Sequence, residues 1–380
     1  MAWNKTDMKI IFTIGIFASL FYSVLLFSKK DKSLPDKVLG IWMLVIGLHL
    51  INYYLVDGGF WEVYPHLIGV TAPFPFFYGP LLYIYVYYSI HNFQLRKKDY
   101  LHFLPIVLTY AYMFRFFFFY SAEEKKLVDQ GLIDDFDMFS NILLVGILLS
   151  GILYAVFTYR LLNQYKILIQ NNFSNIERID LNWFKSFIWG VGLIFLTVAI
   201  VLISTNILGF VYPFNPEYIF YSMLVFAILS LGYFGIRHQN IFVDNVVVEI
   251  ETEERSKAIY KSSSLKDDMA TVKHKDLTDL METQKPFLEP DLTLSSLAGL
   301  LNIPPHHLSQ IINQFEEQNF NDYINKYRVQ EFIDRAAENS NFSFLALALD
   351  SGFNSKSTFN TVFKKHKGLT PSQFFSSNLN

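Results

Sequence analysis

Seven long apolar runs crowd the first 236 positions of this chain, and they limit its possible folds more than any other feature. They cover residues 10–27, 38–56, 70–90, 101–120, 141–162, 184–208 and 218–236. A bilayer core about 30 Å thick is crossed by a helix of roughly twenty apolar residues. Each run is therefore read as a membrane span, and the lipid bilayer is the first expected partner. Aromatic residues suited to the membrane interface, Trp61, Tyr120, Trp183 and Tyr212, stand at or near several run ends. The first run is not read as a signal peptide, because no small-residue cleavage site follows it and a second run does.

Charge is distributed to match. Only 17% of the residues are charged, against about 25% in a typical soluble domain, yet residues 241–290 hold 18 charged positions. The break near Arg237 divides the chain into a seven-helix transmembrane sensor domain (1–238), a charged, partly helical connector (239–286) and a helical carboxy-terminal domain (287–380). The chain has no cysteine, which excludes disulfides and thiolate-bound zinc. A net charge of −3 gives no overall attraction to nucleic acid, so DNA binding must rest on local patches.

Basic residues alternate between loops. Lys29, Lys30, Lys32 and Lys37 follow the first run, Arg96, Lys97 and Lys98 the third, Arg160, Lys166, Arg178 and Lys185 flank the fifth-to-sixth loop, and Arg237 follows the seventh. The intervening loops have no base or, in the fourth-to-fifth loop, more acid than base. Excess Lys and Arg marks the cytoplasmic side. The expected topology is a multi-pass protein of a bacterial inner membrane, amino terminus outside and carboxy terminus in the cytoplasm.

Few polar residues interrupt the runs. Arg115 lies near the outer end of the fourth, either as a ligand contact or with its head group reaching the interface. His49 and Asn52 share one face of the second, where they line a pocket or join helices by hydrogen bonds. Pro73, Pro75 and Pro80 interrupt the third. In the connector, Val246, Val247, Val248 and Ile250 form a short apolar run. Met269, Val272, Leu277, Leu280 and Met281 recur at helical spacing. That helix is read either as a dimerising relay or as packing on the next domain.

The last ninety residues contain two helix-turn-helix units. In the first, a short helix (295–301) turns at Asn302 into a second helix starting near Pro305, with Leu294, Leu297, Leu300 and Ile303 facing Leu308, Ile311 and Ile312. His306, His307, Ser309, Gln310 and Asn313 point outward. After a long helix (320–338) the pattern repeats: Ser343 caps a helix to Asp350, Gly352 turns, and residues 354–365 form the next helix. Phe359 and Phe363 face the core, leaving Ser355, Lys356, Asn360, Thr361 and Lys364 outward, with Lys364, Lys365 and Lys367 concentrating charge for phosphate. Adjacent His306 and His307 diverge by about 100° on a helix, without a third ligand nearby, so no metal is expected. No cofactor is expected, and no nucleophile–base set suggests an enzyme.

The run Gly352-Phe353-Asn354-Ser355-Lys356-Ser357-Thr358-Phe359-Asn360, followed by Phe363-Lys364-Lys365 and Gly368-Leu369-Thr370-Pro371-Ser372, resembles the signature of AraC-type (AraC/XylS-like) transcription regulators. Leu308-Ser309-Gln310-Ile311-Ile312-Asn313 and Tyr323-Ile324-Asn325-Lys326-Tyr327-Arg328-Val329 are similar to that family's first unit and linking helix. Pro304 departs from the polar cap common there. The resemblance implies an all-α architecture in which two recognition helices enter successive major-groove segments of double-stranded DNA. His306, His307, Gln310 and Asn313 would serve the first, and Lys356, Asn360, Thr361 and Lys364 the second. With the spans, the whole is similar to membrane-bound regulators of this type, sequence-specific in DNA binding and tuned by a small-molecule or membrane-partner signal. A homodimer is expected from the helical connector and the two-site habit of such regulators. The competing expectation is a seven-span receptor or transporter-like protein whose helical tail binds a protein partner.

Overall fold

A computed structural model describes residues 5–91, 94–177, 179–237, 267–338 and 341–377. The expected apolar run at 246–250 lies outside the described residues. Contacts divide the chain into two compact units, Met1–Asn163 with Leu181–Phe242, and Gln164–Asp180 with Val243–Asn380.

The first unit contains helices α1 (Lys5–Ser28), α2 (Leu34–Asp57), α3 (Phe60–Val63), α4 (Pro75–Ile90), α5 (Leu104–Phe119), α6 (Ala122–Asp129), α7 (Asp137–Asn172) up to Asn163, α8 (Asn182–Leu202) and α9 (Glu217–Arg237). Ser33 starts α2 with a capping box, its hydroxyl accepting from the Asp36 N–H while the Asp36 carboxylate accepts from the Ser33 N–H. Helix α1 packs against α2 and α9, α2 against α4, and α8 against α9. Between α1 and α2 the Ser23 hydroxyl donates to the Gly40 carbonyl at 2.9 Å, a close approach that small residues permit in apolar surroundings.

Five helices among the described residues are long and apolar enough to cross a membrane: Met8–Ser28, Leu34–Asp57, Lys97–Phe119, Asp137–Asn172 and Phe184–Thr205. The other two expected spans also form helices. The third begins only at Pro75 and has 16 residues, because Pro73 and Pro75 lack the N–H groups that an earlier helix would need. The seventh gives the apolar stretch Tyr218–Tyr233 within α9. Large apolar side chains such as Phe17, Phe118, Leu149 and Trp189 are exposed on these helices.

The second unit contains α10 (Asp267–Thr283), α11 (Leu294–Leu300), α12 (Pro305–Glu316), α13 (Phe320–Glu338), α14 (Phe344–Asp350), α15 (Lys356–Lys367) and α16 (Pro371–Ser377). Two apolar cores meet along α13. Its first half gives Phe320, Tyr323 and Ile324 to a core with Leu294, Leu297, Leu308, Ile311 and Ile312. Its second half gives Val329 and Phe332 to a core with Leu347, Phe353, Phe359 and Phe363. Helix α10 adds Ala270, Leu277, Leu280 and Met281 to the first core, so it packs on the domain that follows. Met269 and Val272, expected on the same stripe, are exposed.

Both turns take the left-handed backbone expected of them, at Asn302 (φ 52°) and Gly352 (φ 91°). Gly352 has a second reason to lack a side chain. A Cβ there would lie 2.5 Å from the Phe287 carbonyl oxygen and 3.0 Å from Arg328 Nε. Gly368 caps α15 with φ 76° and has nothing within 4 Å of such an atom. Gly352→Ala is therefore expected to destabilise the protein by about 3 kcal/mol and Gly368→Ala by about 1 kcal/mol, strain plus clash against strain alone. Denaturant melts of the purified protein check the difference; equal losses would contradict it.

Candidate nucleic-acid interface

Helix α12 starts at Pro305, after Pro304 in the cap position with no side-chain hydrogen bond. Its missing N–H is one that the first turn leaves unpaired in any case. Leu308, Ile311 and Ile312 are buried, Asn313 is exposed, and His306, His307, Ser309 and Gln310 are half-buried. The His306 and His307 rings lie edge to face at 4.2 Å. Asn313 Nδ2 donates to Ser309 Oγ at 3.4 Å, one helical turn back.

Helix α15 starts at Ser355, whose hydroxyl accepts from the Thr358 N–H at 3.1 Å. Phe359 and Phe363 are buried on one face, while Lys356, Thr361, Lys364 and Lys365 are exposed and Asn360 is half-buried. Lys364, Lys365, His366 and Lys367 make up the last turn, where cations complement the helix dipole. Lys365 Nζ donates to Asp322 Oδ1 of α13 at 2.5 Å. One expected phosphate contact is thus held by an acid of its own domain.

Between the two cores lies a polar hub that sequence reasoning did not single out. The Arg328 guanidinium is 2% exposed. Its Nε donates to the Phe287 carbonyl at 2.7 Å, and Nη2 to the carbonyls of Glu289 (2.7 Å) and Pro290 (3.2 Å) and to Ser174 Oγ (3.0 Å). Asn321 Nδ2 donates to the carbonyls of Phe173 and Ser174 at 3.0 and 2.9 Å. The Ser174 N–H donates to the Leu292 carbonyl at 3.1 Å, and Phe173 pairs with Thr293 as an antiparallel bridge. At the edge of the segment, Asn175 Nδ2 donates to Asp291 at 3.3 Å. Glu177 Oε2 accepts from Ser355 Oγ and Thr358 Oγ1, each at 2.5 Å. Residues 173–177 belong to the same compact unit as the helix-turn-helix pair, although some 120 to 180 positions separate them from their partners. Arg328 and Asn321 lie in or next to the linking-helix motif, but Glu177 gave no local signal.

Burial pushes the Arg328 side chain down to about 10, with the charges of Asp291 and Glu289 opposing the fall, so it is charged at neutral pH. Burial also lowers His366, which leaves that position uncharged at neutral pH. Glu316 and Glu331 behave oppositely. Burial would raise both, but hydrogen bonds from His274 and Lys326 hold Glu316 below its usual value. Those from Lys285 and Arg335, both at 2.8 Å, do the same for Glu331.

In the first unit, His49 Nδ1 lies 2.6 Å from Tyr78 Oη, and both side chains border an apolar cavity of about 430 Å³ beside Trp42, Phe187, Phe220 and Tyr221. Asn52 and Arg115 do not line it. Arg115 is exposed and pairs with Asp135 at 3.4 Å, with its guanidinium over the Tyr120 and Phe136 rings.

Two helix-turn-helix units sharing one long helix define a class of DNA readers. Comparison with known proteins agrees. The family model described as a helix-turn-helix domain matches residues 297–377. Over 99 residues, 26% of this chain and 80% of the relative, the sequence is 30% identical to the "Probable transcription factor PqrA" of Proteus vulgaris. No solved structure matches. Through its carboxy-terminal domain, the chain belongs to the AraC-type helix-turn-helix family of transcription regulators.

The buried carboxylates generate a pH prediction. Both are held below the ordinary value of 4.5, so their contribution is full above that pH and is lost as pH falls through the lower folded values. Glu331→Gln is expected to cost about 2 kcal/mol at pH 7, the scale of charged hydrogen bonds, and to flatten the acid limb of the stability curve. Melts across pH 3–7 measure it; a variant curve parallel to wild type would refute the assignment.

Proposed function

We propose that the protein is a membrane-anchored, sequence-specific transcription regulator. Its carboxy-terminal domain binds promoter DNA and its seven apolar helices receive a signal. The observation that carries the reading is the outward set on α15. Lys356, Thr361 and Lys364 are exposed on a capped helix whose other face is locked by Phe359 and Phe363. Polar side chains on a rigid helix are what major-groove and phosphate contacts require. His306, His307, Gln310 and Asn313 of α12 are the counterparts for a second groove segment, with Ser309, Ser355, Asn360 and Lys365 beside the two sets.

The signal-receiving role rests on the cavity beside His49 and Tyr78, which suits a small lipophilic molecule with one polar group. A ligand acts there only by favouring one arrangement of the helices over another. The loop charges support seven crossings of a bacterial inner membrane, with the carboxy-terminal domain in the cytoplasm. Two copies would read paired DNA sites. A native mass of the DNA-bound protein corresponding to one chain would refute the dimer.

Binding of the full-length protein to a labelled duplex, followed across salt, tests the DNA reading. Lys356→Ala and Lys364→Ala should each weaken binding and reduce the salt slope by about 1, as loss of one phosphate contact requires. Salt-independent binding, or no effect of either change, would favour a protein-binding tail instead. Orientation is tested with single cysteines, which stand alone because the chain has none. Asp134→Cys should react with an impermeant thiol reagent on intact cells, and Lys98→Cys only after permeabilisation. The reverse pattern would overturn the topology.

A further inference from the structure

We propose that residues 173–177 form an internal gate on DNA binding, in which the Glu177 carboxylate occupies the phosphate position at the start of the second recognition helix. The inference rests on the DNA-binding reading of α15 and goes beyond it. Glu177 Oε2 takes hydrogen bonds from Ser355 Oγ and Thr358 Oγ1, both at 2.5 Å. These two hydroxyls stand at the first turn of a 12-residue helix, where unpaired N–H groups and the helix dipole favour an anion. A DNA phosphate approaching α15 beside Lys356 needs the same donors and the same space. Carboxylate and phosphate therefore compete for one site.

The segment has a fixed part and a loose part. Phe173 and Ser174 are buried and held by Asn321, Arg328, Leu292 and Thr293. Glu177 is exposed, and an exposed charge contact is weak enough to be displaced. Such a division suits a gate, in which the hub keeps the acid close to α15 without making its contact permanent. A segment that served only to staple the two cores together would need the hub but no carboxylate on the recognition helix. In the chain, residues 173–181 follow α7 and precede α8.

The test uses the full-length protein in lipid nanodiscs and a labelled duplex of mixed sequence at low salt. Glu177→Gln keeps the side chain's size and removes its charge. It should tighten duplex binding about threefold to tenfold, the scale of one charged contact, while Glu177→Asp stays near wild type. A second measurement does not depend on the affinity of a point variant. The pair Glu177→Cys and Thr358→Cys, in a chain otherwise free of cysteine, should crosslink on oxidation, and excess duplex should slow that reaction. The oxidised protein should bind duplex at least about tenfold more weakly, with reductant restoring affinity. Unchanged affinity in Glu177→Gln together with full binding by the crosslinked protein would overturn the gate. If Lys356→Ala still weakens binding in that case, the DNA reading stands without the gate. If no form binds duplex, both fall.

Discussion

The second unit depends on a buried positive charge. A guanidinium removed from water is costly unless its donors are matched, and Arg328 finds carbonyl acceptors on Phe287, Glu289 and Pro290 and a hydroxyl on Ser174. It sits on α13 where one core gives way to the other, and it touches three pieces at once: the turn entering α11, the segment after α7, and the Gly352 turn beside its Nε. That turn leads directly to Ser355 and the start of α15. The position of α15 is therefore set by this hub as well as by the aromatic core beneath it.

Local rules made much of this domain legible in the sequence. Ser343 caps as expected, because an extended residue with a short hydroxyl can accept from the first free N–H groups; Ser355, expected as an outward residue of its helix, is instead the cap of α15. Asn302 and Gly352 turn left-handed because few other residues do so cheaply. The α13 boundaries match the expected 320–338. What the sequence hid is non-local. Met269 and Val272 fit the apolar spacing of α10 yet are exposed, since periodicity marks a stripe but not how far the core extends along it. Glu177 was one acid in a mostly polar loop, and its partners lie 178 and 181 positions away. Of the residues expected to point outward, Asn313, Lys356, Thr361, Lys364 and Lys365 are exposed and the others are half-buried. Which of them an internal acid would hold, as Asp322 holds Lys365, was not readable.

The apolar half shows the same contrast. A bilayer demands continuous apolar length, and among the described residues five helices are long and apolar enough to meet that demand. The third expected span differs for a reason written in the chain: Pro73 and Pro75 delay α4. The polar residues were harder to read. His49 and Asn52 share a face by spacing, but only His49 borders the cavity, through its contact with Tyr78.

Charge bookkeeping in the second unit explains why one acid can carry weight there. Arg328 is buried in the hub, Lys326 and Arg335 are tied to Glu316 and Glu331, and Lys365 is tied to Asp322. Among the described residues from 291 to 377, the basic side chains outside these arrangements are Lys356, Lys364 and Lys367, all on α15. A domain with so few available cations gains little from general attraction to DNA. Its affinity then depends on local contacts at one helix, and an acid at the start of that helix opposes a large share of them. A more basic domain would bind through such an acid. In this one, a single displaceable carboxylate can decide whether the helix is open to DNA.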